Sequence, residues 1–220
     1  MDPLIQQIDA LAGVGASGRL SGGVDLYVFR TAEGAVCRCH ARIPAGVAAA
    51  VEAVAAEPRG RPREWALEYG RYLGILAEVG PVMAVRAGPL YRFGAPPPAP
   101  PNVAAITPAN AHLLGEGLDE WLPDVAEGLP MWAALEGGRA VSLCASVAIA
   151  GGAHAAGVET LSLFRGRGFA AGCVAGWAGA VLERGETPFY GTTFDNRASQ
   201  GVARRLGMEL VGSEFSVSLA

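Results

Sequence analysis

The sequence predicts an α/β (α+β) fold, a mixed sheet preceded by a smaller α+β domain. Three observations carry this reading. A strand-like run, Val158 to Phe164, enters a glycine-rich turn and leaves it as a helix reaching about Arg184. About thirty residues later, Pro188 to Phe194 reads as a second strand, and Asp195-Asn196 opens a second helix. Between the halves, Gly94 to Pro101 is proline-rich; such a run is extended and cannot pack as an inner helix or strand. Strand, crossover helix, strand and helix together describe a mixed sheet.

The first half divides as follows. Asp2 to Leu11 suits a short helix. Val24–Arg30 and Ala35–Ile43 read as paired strands around Glu33-Gly34. Pro44 to Ala56 reads as a helix with proline in its first turn. Arg63 to Glu78 reads as another, with Trp65, Leu67, Tyr69, Tyr72 and Leu76 as its apolar faces. A short strand follows at Val82 to Val85. This half carries no catalytic pattern and reads as a structural or acceptor-shaping domain. The boundaries are 1–93 for this domain, 94–101 for the linker and 102–220 for the second domain.

The second half begins with Val103 to Ile106 as a strand. Thr107-Pro108 opens a helix through Leu114. Met131–Leu135 and Ala140–Ile149 are strands around Gly137-Gly138. Then come the Val158 strand, the Phe169–Glu183 helix, the Phe189 strand and a helix from Asn196 to Gly207. Asn at its start and Gly at its end are the expected signals. Glu209 to Leu219 is the last strand.

The chemistry concentrates in Arg165-Gly166-Arg167-Gly168-Phe169-Ala170. A glycine turn that opens a helix aims several backbone N–H groups at one spot. The positive end of the helix dipole adds to them, so the spot favours an anion such as phosphate. Gly166 and Gly168 allow close backbone approach. No Gly-Lys-Ser/Thr ends the turn, so it is not a P-loop. Ala171 stands three residues after Gly168, and no acidic residue ends a second strand as a ribose ligand should, so the dinucleotide pattern is incomplete.

Arg165, Gly168 and Ala170 as Arg-x-x-Gly-x-Gly/Ala, followed by helix, strand, and Asn196-x-x-Ser199 before Leu206-Gly207, resemble the GNAT superfamily of CoA-dependent N-acyltransferases. The resemblance covers roughly residues 102 to 218. It implies a sheet with two splayed parallel strands, Val158–Phe164 and Phe189–Phe194, and acetyl-CoA as acyl donor between them. On that template the pantetheine arm pairs with backbone at Thr160 and Leu161. The pyrophosphate sits on the N–H groups of Arg165, Gly166, Arg167, Gly168, Phe169 and Ala170, and Asn196 and Ser199 reach the pantetheine or phosphate region.

Direct transfer from a thioester to an amine needs a base, a polarised carbonyl and a protonated leaving thiol. A backbone N–H near Thr160 or Leu161 polarises the carbonyl. Glu159 is the first choice for the base, being the one acid between Ala140 and Phe164. The other reading is a carboxylate paired with a nearby arginine. His154 is a second candidate, with a turn residue beside Gly151-Gly152 as its other fate. Many members carry a tyrosine four residues before the glycine ending the last helix. Ala203 stands there, so Tyr190, Ser199 or water replaces that acid, or the thiolate leaves unassisted. The alternative reading is a non-catalytic acetyl-CoA-binding regulator with a degenerate site; a third keeps the fold without the ligand.

Composition limits the rest. The chain has 220 residues, is 51% hydrophobic and 17% charged, and is therefore globular. Its net charge of -4 gives no electrostatic reason to expect nucleic acid or an anionic membrane as partner. All 17 cationic side chains are arginine, which excludes lysine chemistry. No signal peptide is visible at the N-terminus, and the uncharged run from Ala140 to Val158 suits two strands and a turn better than a membrane helix. A cytoplasmic protein is expected. Cys37-Arg38-Cys39-His40 lacks a second Cys/His pair at zinc spacing, so no metal is expected; Cys144 and Cys173 read as core residues. The acceptor is a small-molecule or peptide amine. Glu116, Asp119, Glu120, Asp124 and Glu127 fit either a cationic acceptor or a solvated face. A GNAT domain usually ends in two strands, and only about a dozen residues follow the last helix. The missing strand comes from the first half or from a partner subunit in a homodimer.

Overall fold

Two patterns in the sequence become two kinds of element: alternating runs form strands, and Ala- and Leu-rich runs bounded by Pro, Asn or Gly form helices. The computed structural model describes residues 2–57, 65–95 and 100–220, with the side chains of 65–68 outside that description. Its order is α1 (Pro3–Leu11), β1 (Leu26–Arg30), β2 (Ala35–Cys39), α2 (Ala45–Ala56), α3 (Trp65–Leu76), β3 (Val82–Arg92), β4 (Val103–Ala105), α4 (Leu122–Ala126), β5 (Met131–Glu136), β6 (Arg139–Ala150), β7 (Ala153–Thr160), α5 (Phe169–Glu183), β8 (Thr187–Gly191), α6 (Arg197–Arg205) and β9 (Glu209–Leu219). The fold is the mixed α/β arrangement that the sequence predicts.

The chain forms two compact units. The first comprises residues 1–90, 192–194 and 211–220; the second comprises 91–191 and 195–210. The proline-rich segment lies partly outside the described residues, at 96–99, as do Arg63 and the side chains of Trp65 and Leu67.

In the first unit the strand order is β2-β1-β9-β3. β1 is antiparallel to both β2 and β9, with Val28 opposite Cys37 on one side and Phe215 on the other. The strand beside β9 is thus supplied by the first half of the chain. Leu26, Val51, Tyr72, Leu76, Phe215 and Val217 form the core. Tyr69 stacks on Phe215 with ring centroids 4.2 Å apart. The end of β9 is tied in by Asp25, whose carboxylate accepts from Arg42 Nε at 2.5 Å, Arg42 Nη2 at 2.7 Å and the backbone N–H of Leu219 at 2.8 Å.

In the second unit the order is β8-β7-β6-β5-β4. β4 to β7 are antiparallel to their neighbours, whereas β7 and β8 are parallel. Helix α5 covers one face, where Cys144, Cys173, Val174, Trp177, Val181 and Tyr190 pack together. Residues 106–125 cover the other, with Ile106, Leu114, Leu118, Val125, Met131 and Leu143 in that core. Burial pushes the Cys144 thiol up and takes that of Cys173 to about 11, as expected for core cysteines.

Three expectations change. Thr107–Leu114 is not an α-helix. Asn110 Oδ1 accepts from the Thr107 N–H at 2.7 Å and its Nδ2 donates to the Ala105 carbonyl at 2.9 Å, so a side-chain turn competes with the helix. Only Ala111–Leu113 forms a 3-10 turn. The strand expected at Val158–Phe164 begins earlier, at Ala153, and ends at Thr160, and Ser162–Phe164 curls into another 3-10 turn. The strand expected from Pro188 to Phe194 ends at Gly191; within the first unit, the N–H groups of Thr192 and Phe194 then donate to Pro89 and Ala87. Among the described residues, no helix is long and apolar enough to cross a membrane.

The Asp25 bonds predict a pH effect. Arg42 holds the Asp25 carboxyl below its ordinary value despite burial. The native state therefore binds fewer protons at Asp25 than the unfolded chain. This contribution is complete above the unfolded value of about 3.9 and is lost as pH falls through the lower folded value. Asp25→Asn should lower the melting temperature at neutral pH and weaken its decline below about pH 4, measured by thermal scans across pH.

Candidate active site

The parallel pairing of β7 and β8 lasts three residues, Ala153, His154 and Ala155 opposite Thr187, Pro188 and Phe189. Beyond it the strands part. β7 remains paired to β6 through Thr160, but among the described residues no strand covers the other edge of Ala156–Thr160. Backbone groups along such an edge seek an extended partner.

A cleft of about 620 Å³ opens there. Val158, Glu159 and Thr160 form one wall, Gly166 and Gly168 to Ala171 the end, and Tyr190, Asn196, Ser199 and Arg205 the far side. Gly168 caps α5 with a φ of +89°, a conformation glycine adopts without steric cost. The first N–H groups of α5 have no acceptor within the helix, so they and the helix dipole present positive potential at this end.

Arg205, which sequence reasoning missed, completes that end. Its Nη1 lies 2.8 Å from the position a Cβ on Gly168 would take. No motif marks it; only the packing of α6 beside the turn brings it there. Arg165 is turned back, with Nε donating to the Thr160 carbonyl at 3.1 Å. Arg167 lies elsewhere. It donates to Glu136 at 2.6 Å, sits over the rings of Phe164 and Phe169 at 5.4 and 5.0 Å, and lines a second cavity of about 430 Å³ with Glu116, Arg139 and Leu161. The turn therefore brings Arg165, Gly166, Gly168, Phe169 and Ala170 to the cleft, together with Thr160, Asn196 and Ser199, but neither Arg167 nor Leu161.

Asn196 caps α6 by accepting from the Ser199 N–H at 3.0 Å. The Ser199 hydroxyl hydrogen-bonds the Tyr190 phenol, whose pKa is raised by burial. Tyr190 is therefore protonated at neutral pH and able to donate. Ala203 is fully buried in the core. Glu159 lines the cleft and accepts at Oε2 from Trp121 Nε1 at 2.8 Å, in place of the arginine pairing that the sequence offered. Asp119, Glu120, Asp124 and Glu127 do not line this cleft. Among the described residues, no three His, Cys, Asp or Glu side chains gather as a metal site.

His154 is neither in a turn nor in the cleft. It is fully buried on β7 at the closed end of the parting strands. Nδ1 lies 2.8 Å from Ser146 Oγ and Nε2 lies 2.7 Å from Glu186 Oε2. Trp177 Nε1 donates to the same Ser146 oxygen at 2.9 Å. Ser146 and Glu186 thus bracket the imidazole, one at each ring nitrogen.

Residues 131–214 match the family model for the GNAT acetyltransferase. The chain carries a GNAT acetyltransferase domain. No curated protein matches the chain. Among solved structures, the chain resembles a GNAT-family protein from Novosphingobium aromaticivorans at 17% identity and a TM-score of 0.53, covering 64% of this chain and 67% of that one. It also resembles a GCN5-related N-acetyltransferase-like protein from Streptococcus suis at 18% identity and a TM-score of 0.52, covering 68% and 69%. At such identities the likeness is one of fold.

The relay around His154 predicts a stability effect. His154→Ala takes the imidazole partner from Ser146 and from Glu186 and opens a cavity. It should cost about 3 kcal/mol, read as a lower midpoint in urea unfolding.

Proposed function

We propose that the chain is an N-acetyltransferase that uses acetyl-CoA to acetylate an amine of a small molecule or peptide. The observation that carries this reading is the parting of β7 from β8 onto a glycine turn that presents α5 N–H groups and Arg205. An extended arm with amide groups suits the uncovered strand edge, and a pyrophosphate suits the positive end of the cleft.

The residues take these roles. Backbone along Ala156–Thr160 binds the pantetheine arm. The N–H groups from Gly166 to Ala170, with Arg205, hold the pyrophosphate. Glu159 accepts the proton of the attacking amine, directly or through water, so that the nitrogen lone pair attacks the thioester carbonyl. Tyr190, protonated and hydrogen-bonded to Ser199, donates to the departing thiolate, in place of the acid absent at Ala203.

Calorimetric titration with acetyl-CoA, with ATP and NAD as controls, tests the reading first. Micromolar binding of acetyl-CoA alone is expected, and its absence would remove the proposal. Gly168→Asp should abolish that binding. The backbone there is left-handed, a Cβ meets Arg205, and the new carboxylate opposes the pyrophosphate. With an acceptor found by an amine screen, Glu159→Gln should cut kcat by 10²-fold or more, in the range for lost general-base catalysis, roughly 10²–10⁴-fold. Acetyl-CoA affinity should be nearly unchanged. Equal turnover would make Glu159 a structural residue.

A further inference from the structure

We infer that Trp121 is the positioning residue for Glu159. The inference rests on the reading of Glu159 as the base and adds to it the group that aims the carboxylate. Trp121 ends the 3-10 turn Asp119–Trp121, in the segment that covers the face of the sheet opposite α5. Its indole N–H reaches Glu159 Oε2 across 38 positions of sequence at 2.8 Å.

The backbone between them is shaped for this contact. Gly157 lies two residues before Glu159 on β7, so the two share a face of the strand. A Cβ on Gly157 would lie 3.0 Å from Trp121 Cη2 and 2.2 Å from Val147 Cγ1. A glycine lets the indole lie this close to β7, where a Cβ would press on the ring. The ring lies beside Gly157 and packs against the apolar cluster beneath.

An indole N–H is a donor only and does not titrate. It therefore occupies one carboxylate oxygen, restrains the side-chain torsions, and leaves the other oxygen to accept from the amine. A charge-assisted bond is stronger than a neutral one and holds the carboxylate in a narrower range of geometry. Fixed aim is what a general base needs, because proton transfer depends on reaching hydrogen-bond distance in the reacting complex.

The test is a double-mutant cycle. Trp121→Phe keeps most of the ring packing and removes the donor. It should lower kcat about tenfold while the calorimetric affinity for acetyl-CoA stays the same. In a Glu159→Gln background the same change should have no further effect on kcat, since the group it positions no longer accepts a proton. An equal loss in both backgrounds, or none in the wild-type background, would overturn the inference. If Trp121→Phe loses acetyl-CoA binding, Trp121→Tyr takes its place in the cycle. Should Glu159→Gln leave turnover intact, the base assignment itself fails; should Glu159→Gln cut turnover while Trp121→Phe does not, the base stands and Trp121 is only packing.

Discussion

Parallel pairing between β7 and β8 that stops after three residues creates the opening on which the candidate site depends. It leaves the edge of Ala156–Thr160 without a strand, places Glu159 at a cleft wall and sets Tyr190 across from it. The closed end is held by side chains as well as by backbone bonds such as Thr187 N–H to the Gly152 carbonyl. His154 on β7 bonds Ser146 on β6 and Glu186 just before β8, while Trp177 from α5 bonds the same serine. Four segments meet in one buried relay, so the strands cannot slide or part at that end without breaking charge-assisted or buried bonds.

The positive end of the cleft is assembled differently. Most of its donors are backbone N–H groups, aimed by the left-handed Gly168 and the start of α5. Backbone donors hold no net charge and need no side-chain ordering, so the site is largely built once the helix forms. Arg205 adds formal charge from α6. Arg167, although inside the motif, is consumed by Glu136 and two aromatic rings. Motif membership and position in the cleft are therefore separate properties, decided by where neighbouring carboxylates and rings lie.

Much of the fold was legible because local signals agreed with the final packing. β9 runs from Glu209 to Leu219 as read, and α5 begins at Phe169 after its glycine turn. The readings that failed involve competition between local options. Asn110 captures its own neighbouring backbone in place of a helix, and Ser162–Phe164 curls where an extended run was expected. His154 was unreadable because its partners lie 8 and 32 positions away.

By itself the sequence determined the strand–turn–helix with its glycine turn, the Asn196 cap, and the rarity of acids near Glu159, since each is a matter of residues within one or two turns of each other. Tertiary structure alone decided that Trp121 meets Glu159, that Arg205 stands over Gly168, and that Arg167 turns away. Those outcomes depend on contacts between residues 31 to 38 positions apart, or on a helix laid beside a turn. Such contacts are chosen by the packing of whole elements, which no local pattern encodes.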